Sequence, residues 1–211
     1  DLPNGVDIEM FKPRSEDSSV LKSFGLEGKD VFLYAGTVGY IHGLETGVDA
    51  MAKIEREYPR AHLLVVGGGS EWEKVSTYAR EGGAQNVTFA GPVPLEEVAQ
   101  LLNASVAAVS TLRDSEVLNG VRLSKIFPAM ASGVPVLYSG AGEGANLITN
   151  SRAGLVSPPG DSTALSENIK VILSDSEQVV AMGAAGRTLT EEQFSWSMII
   201  ERWLKKLDEI S

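Results

Sequence analysis

Six short apolar segments recur along the chain, and nothing else in the sequence constrains the fold as strongly. They are DVFLYAG (30–36), HLLVVGGG (62–69), NVTFAG (86–91), VAAVST (106–111), GVPVLYSG (133–140) and GLVSPPGD (154–161). Most of them close on glycine, and between them lie segments with helical spacing. In 44–58, for example, Leu44, Val48, Met51, Ala52 and Ile54 are apolar and charges fill the gaps. Strands separated by helices pair through crossovers rather than hairpins. The expected fold class is therefore α/β: a Rossmann-like parallel sheet with helices on both faces. Further helices are predicted over 70–82, 94–105, near 125–132, and over 162–175, 177–190 and 196–210. Ser70 and Glu73 form a capping-box pattern before the second helix. Pro94 suits the start of the third.

Composition narrows the function classes. At 211 residues and 43% hydrophobic, the chain can build one sizeable core or two small ones. A formal net charge of −10 repels nucleic acid and anionic membranes unless a local basic patch intervenes. There is no cysteine, so disulfides and thiolate metal sites are excluded, and two histidines leave a structural zinc site almost without ligands. No metal is expected. No apolar run approaches the roughly 18 residues of a membrane span, and the acidic, polar start is unlike a signal peptide. A cytoplasmic domain is expected. Residues 2–19 are polar and contain Pro and Gly, like a linker.

In sheets of this kind, ligands bind beyond the carboxyl ends of the strands. The loops to read are therefore 36–43, 67–70, 90–94, 111–125, 139–145 and 157–162. GTVGYIHG (36–43) lets backbone approach a phosphate, or simply turns the chain. Its glycine spacing is not the dinucleotide fingerprint, the second strand ends in Gly67 rather than an acidic residue, and no P-loop is present. A nicotinamide-dependent dehydrogenase is thereby disfavoured. GGGSEWEKV (67–75) reads equally as a tight turn or a nucleotide contact, and Trp72 reads as packing. FAGPVP (89–94) presents fixed backbone groups to a base edge or is a plain turn. The long loop 111–125 gathers Arg113, Arg122 and Lys125, and Ser124 can cap the helix that follows. His42 could donate to an anion or solvate its turn, whereas His62 reads as structural. Glu143 could bond a ligand hydroxyl or cap the next helix.

Taken in order, PNGVDIEMFKP, FLYAGTVGYIHGLETGVDA, LLVVGGG, NVTFAGPVPLEEVAQLLNAS, RLSKIFPAMASGVPVL and GLVSPPGDSTALSENI resemble the C-terminal half of family 4 retaining glycosyltransferases, which have the GT-B fold. The nearest pattern is a bacterial subgroup that writes P-S-K before the motif helix and serves surface-polysaccharide synthesis. The resemblance implies a nucleotide-sugar donor domain, with a uridine donor expected ahead of a guanosine one and no further cofactor. The acceptor-binding N-terminal domain would be missing, and the fragment alone would be inactive. In its terms 1–13 is the remnant of an interdomain linker, 14–195 the donor domain, and 196–211 a helix that packs toward the missing domain. A location at the inner face of a membrane would come through that domain.

The same resemblance implies that Gly36, Thr37 and Gly39 line the diphosphate and acceptor side, with His42 where relatives carry a basic or polar residue. Gly67 and Gly68 would flank the nucleotide, and Pro92 and Val93 would offer backbone to the base. Ser124 and Lys125 would hold the diphosphate, helped by Arg122 or Arg113. Lys125 and Arg122 are the candidate catalytic cations. Many relatives carry E-x(7)-E, whose second glutamate accepts the ribose hydroxyls. Here Gly120 and Pro128 occupy the two glutamate positions, and Leu123 replaces the proline of P-S-K. Proline accepts nothing from its side chain and has no N–H, so the helix is expected to start late, close to Pro128, or to be irregular between Ser124 and Pro128. That loss leaves a second expectation open, a non-catalytic nucleotide- or partner-binding module. A sugar-nucleotide epimerase fits the motif order poorly.

Overall fold

The structure, a computed structural model, describes residues 4–14, 18–121 and 124–208. Its centre is a six-stranded sheet in which all the pairings are parallel. The strands are β1 (Asp30–Thr37), β2 (Ala61–Gly68), β3 (Val87–Gly91), β4 (Ala107–Thr111), β5 (Val136–Ser139) and β6 (Gly154–Ser157). Their order is β3-β2-β1-β4-β5-β6. The chain moves outward from β1 through β2 to β3, then returns to add β4 on the other side of β1. The switch point between β1 and β4 is where open α/β sheets form a crevice.

The helices are α1 (Glu45–Ile54), α2 (Trp72–Glu81), α3 (Leu95–Asn103), α4 (Ile126–Ala131), α5 (Gly142–Ser151), α6 (Ser162–Ser174), α7 (Ser176–Leu189) and α8 (Trp196–Asp208). Strand residues alternate between two cores. Val31, Leu33, Leu64, Val66, Ala108 and Val136 share one face with α3 and α4. Phe32, Tyr34, Leu63, Val65, Val109 and Leu137 share the other with α1 and α6. Covering both faces explains why the strands read as continuous apolar runs. Trp72 stacks edge-to-face on Phe89 at 5.3 Å, which bears out the packing reading.

Several local expectations are corrected. The first helix is shorter than 44–58: it ends at Ile54, whose carbonyl accepts the amides of Glu57 and Tyr58 in a closing turn. Ser70 caps nothing: the N-cap of α2 is Glu71, with no side-chain cap bond. Ser124 likewise does not cap α4, whose N-cap is Lys125, again without a side-chain bond. Helix α5 was absent from the periodicity reading, since GEGANLITNS has too few apolar residues to mark a face. Side-chain caps are found instead at Asp161, accepting from the amides of Thr163 and Ala164, at Asp175, accepting from Gln178, and at Ser195, whose hydroxyl accepts the Met198 amide at the start of α8.

The linker-like N-terminal segment is packed where it is described. Val6 and Phe11 are buried in the core of the α3/α4 face. The Val6 amide donates to the Phe194 carbonyl at 2.8 Å, and Val6 bridges Ser195 in parallel. Arg187 Nη1 donates to the carbonyls of Ile8, Phe11 and Ala131 at 3.2, 3.0 and 2.7 Å, tying this segment to α4 and α7. Polar composition hid two apolar anchors and a remote guanidinium.

Candidate functional site

The loops after β1 and β4 flank the switch point and are cross-braced. The Arg113 amide donates to the Ile41 carbonyl at 2.9 Å. Arg113 Nε donates to the Tyr40 carbonyl at 2.6 Å and its Nη2 to Glu45 at 2.7 Å. The guanidinium also lies 4.5 Å from the Tyr40 ring centroid. Arg113 therefore shapes the mouth and is committed to it, rather than standing free for a ligand.

A cavity of about 220 Å³ opens at the carboxyl ends of β1 and β2. It brings together Gly36, Gly67, Pro92, Val93 and Lys125 from the sequence-predicted set, with Pro128 beside them. Its inner wall is apolar and includes Phe11, Leu33, Val66, Leu95 and Leu102. A second hollow of about 360 Å³ shares Phe11, Leu95, Lys125 and Pro128 with the first and continues to Asp7, Ser124 and Trp196. Only glycine fits at Gly67: its φ is +129°, and a Cβ there would lie 2.0 Å from the Gly36 carbonyl oxygen. Gly36 has φ +139° and sits directly under the Lys125 side chain.

Lys125 is half-buried and reaches back across the end of β1. Its Nζ donates to the Tyr34 hydroxyl at 2.5 Å and approaches the Thr37 carbonyl at 3.4 Å. The Tyr34 O–H in turn donates to the Thr37 carbonyl at 2.6 Å. The ammonium also lies 3.9 Å from the Tyr34 ring centroid. Burial pulls the Lys125 amine down to about 7 and pushes the Tyr34 phenol far above its ordinary range. Tyr34 was missing from the sequence-derived set. The signal was present, because a tyrosine inside a fully buried strand must find a partner for its hydroxyl.

The remaining candidates divide. Gly68 ends β2 and its carbonyl accepts the Val38 amide, so it shapes the loop rather than lining the cavity. His42 is buried, and its Nδ1 accepts the Gly39 amide at 3.1 Å. Burial, with Lys125 nearby, lowers its pKa to about 4. At neutral pH it is an uncharged brace of the turn, with Nε2–H left to donate. Glu143 lies in the first turn of α5, not in a loop. Ser124 belongs to the second hollow. Arg122, the second candidate cation, falls outside the described residues, as does Leu123. Helix α4 is six residues long, with Pro128 third, so the proline removes no intrahelical hydrogen bond. The helix thus starts close to Pro128, as expected.

Chemically, the cavity offers backbone from glycine-ended strands, one amine and apolar walls. Among the described residues no carboxylate, histidine or hydroxyl-bearing side chain lines the 220 Å³ cavity. That set can hold an anion beside an apolar or planar group. Among the described residues no cluster of three His, Cys, Asp or Glu side chains is placed to hold a metal ion. No described helix is long and apolar enough to cross a membrane.

A parallel sheet of this order with helices on both faces and its cavity at the strand ends is the Rossmann-like half of a GT-B fold. The chain belongs to the family described as glycosyl transferases group 1, whose model matches residues 29–175. It is 30% identical over 202 residues to a GDP-mannose-dependent alpha-(1-6)-phosphatidylinositol monomannoside mannosyltransferase of Mycobacterium tuberculosis, covering 94% of this chain and 52% of that protein. The Corynebacterium glutamicum GDP-mannose-dependent monoacylated alpha-(1-6)-phosphatidylinositol monomannoside mannosyltransferase is 31% identical, covering 95% of this chain and 54% of that protein. Among solved structures, Anabaena Alr3699/HepE in complex with UDP and glucose superposes with a TM-score of 0.82 at 20% identity, covering 98% of this chain and 56% of that one. The chain thus spans about half the length of the curated relatives it matches.

Proposed function

We propose that the chain is the donor-binding half of a retaining glycosyltransferase that moves a hexosyl or acetamido-hexosyl group from a nucleotide sugar to a glycan or lipid-linked acceptor. The observation that carries the reading is the cavity at the switch point, with Lys125 set over Gly36 and next to Gly67. A diphosphate drawn to that amine places its nucleoside against the apolar wall and its sugar toward the open side. As the leaving diphosphate gains charge, fixed amides and a cation stabilise it without a metal. Arg122 is the second cation in this reading. The acceptor pocket comes from a second domain, which also covers the apolar stripe of α8, so the isolated half binds donor without turning it over. The chain acts in a bacterial cytoplasm, and the second domain carries it to the inner face of the membrane.

The test is a thermal-shift panel of UDP-, GDP- and dTDP-sugars, because a ligand bound only by the folded state raises the melting temperature. The uridine arm follows from the resemblance, and the guanosine arm from the two actinobacterial relatives. We expect a shift with one nucleotide class that Lys125→Ala reduces by at least about half, a loss of ~1 kcal/mol or more in binding. A shift equal in wild type and Lys125→Ala would remove Lys125 from the site.

A second reading, a module that binds nucleotide or a partner without catalysis, is favoured by how the candidate side chains are already engaged or replaced. Arg113 is committed to Glu45 and Tyr40, Lys125 to Tyr34 and Thr37, and Pro128 stands at the carboxylate position. Failure of every nucleotide to bind, even with the second domain restored, would decide for that reading.

A further inference from the structure

Strand β6 is an edge of the sheet and pairs on one side only, with β5. The Ala153 and Ser157 carbonyls accept the amides of Val136 and Gly140 on that side. Alternate residues of a parallel strand face the same neighbour, so Gly154 and Val156 turn their N–H and C=O groups away from β5. Those four groups have no partner among the described residues. A hollow of about 670 Å³ lies over this edge, between the end of α5 and the middle of α7. Leu155, Met182 and Ala185 give it apolar surface. Arg152 stands at the end of the hollow where β6 begins. It is the one non-glycine residue with positive φ among the described residues, +57°, at a helix C-cap position that glycine or asparagine usually takes. Its side chain has no hydrogen-bond or ion-pair partner among the described residues. A cation there suits the end of α5, but that helix end carries only about half a negative charge, so most of the guanidinium's charge is left over.

We propose that the β6 edge binds the free C-terminal segment of a partner protein, added as an antiparallel strand with its carboxylate on Arg152. Charge complementarity fixes the direction. An antiparallel strand runs from Val156 toward Arg152 and brings its carboxylate end to the cation, whereas a parallel strand brings its amino end there. Two of its residues, opposite Val156 and Gly154, exchange both main-chain bonds with them and satisfy all four free groups. Its alternate side chains meet the apolar surface, which selects β-branched and apolar residues. A small anion on Arg152 alone leaves the four main-chain groups unpaired. The site lies on the far edge of the sheet from the cavity at β1 and β2 and does not depend on the nucleotide-sugar reading.

The experiment selects random octapeptides, displayed with free C-termini, against the 211-residue chain. Enriched sequences are synthesised with a carboxylate or an amide end and titrated by fluorescence anisotropy. Enrichment of apolar and β-branched C-termini is expected, and amidation should weaken binding by about tenfold or more. Arg152→Gly should weaken the carboxylate form by a similar factor. Glycine suits a φ of +57°, so that variant is expected to keep its melting temperature. Bound peptide should slow deuterium exchange at the Gly154 and Val156 amides. Failure to enrich any sequence overturns the proposal. So does an enriched peptide that binds equally well as the amide, or equally well to Arg152→Gly. Slowed exchange at Gly154 and Val156 that follows protein concentration without peptide gives the edge to a second copy of the chain and overturns the peptide partner.

Discussion

Lys125 shows how a single side chain can be visible in a sequence while its state is not. Its position before IFPAMA marks it as a cation at a helix start. Only the folded chain shows the amine turned onto Tyr34 and desolvated until its pKa is about 7. The two histidines carry a sharper consequence. Burial lowers both from the ordinary 6.5 to about 4, with Lys125 adding to the effect at His42 and Lys29 at His62. Between pH 4 and 6.5 the unfolded chain therefore binds more protons than the folded one. Stability rises with pH through that window and, as far as the histidines are concerned, is level above it. Together they are expected to remove a few kcal/mol as pH falls from 6.5 to 4, on the order of 1.4 kcal/mol per unit for each at most. Melting curves across that range test it. His42→Gln and His62→Gln should each flatten the slope, and a melting temperature unchanged between pH 6.5 and 4.5 would refute the assignment.

At the scale of the element, α8 has two unlike faces. Ile199 is 3% exposed, while Trp196, Ile200, Trp203, Leu204 and Leu207 are each more than 40% exposed. Their spacing of three and four residues places those five along one stripe. Amphipathic periodicity in the sequence marked the helix but not which side meets this domain, since Ile199 lies among residues of the same apolar character. Ile199→Ala is expected to cost ~2–4 kcal/mol. Leu204→Ala should fall within ~0.5 kcal/mol in this chain, because Leu204 is 49% exposed. Urea midpoints compare the two, and equal losses would mean the stripe is packed. Helix α4 teaches the reverse lesson. Its proline looked like a disruption, yet as the third residue of a six-residue helix it costs no hydrogen bond and only changes what the wall can accept.

At the scale of the molecule, the segment read as a linker is tied to α4 and α7 through one arginine. Replacing Arg187 with Met leaves the carbonyls of Ile8, Phe11 and Ala131 without that donor. The expected loss is ~1–3 kcal/mol, with faster proteolysis around residues 4–14. Unchanged cleavage there would show that Val6 and Phe11 hold the segment unaided. Clamping it matters because Phe11 and Asp7 line the two hollows. Strand order, the apolar faces, the glycine-ended loops and every helix but α5 were legible from residues 30 to 189, because each is written in local spacing. The same locality set the boundary. Alternation of strands and helices determines a parallel sheet covered on both faces, and with it the end of the sheet where a ligand binds. Three-dimensional packing alone decided that Tyr34 holds Lys125, that Arg113 is spent on Glu45, and that Phe11 from a polar-looking stretch walls the cavity. The first two of these pairs lie 91 and 68 residues apart. Contacts at such separations form only as the sheet closes, so no periodicity along the chain can announce them.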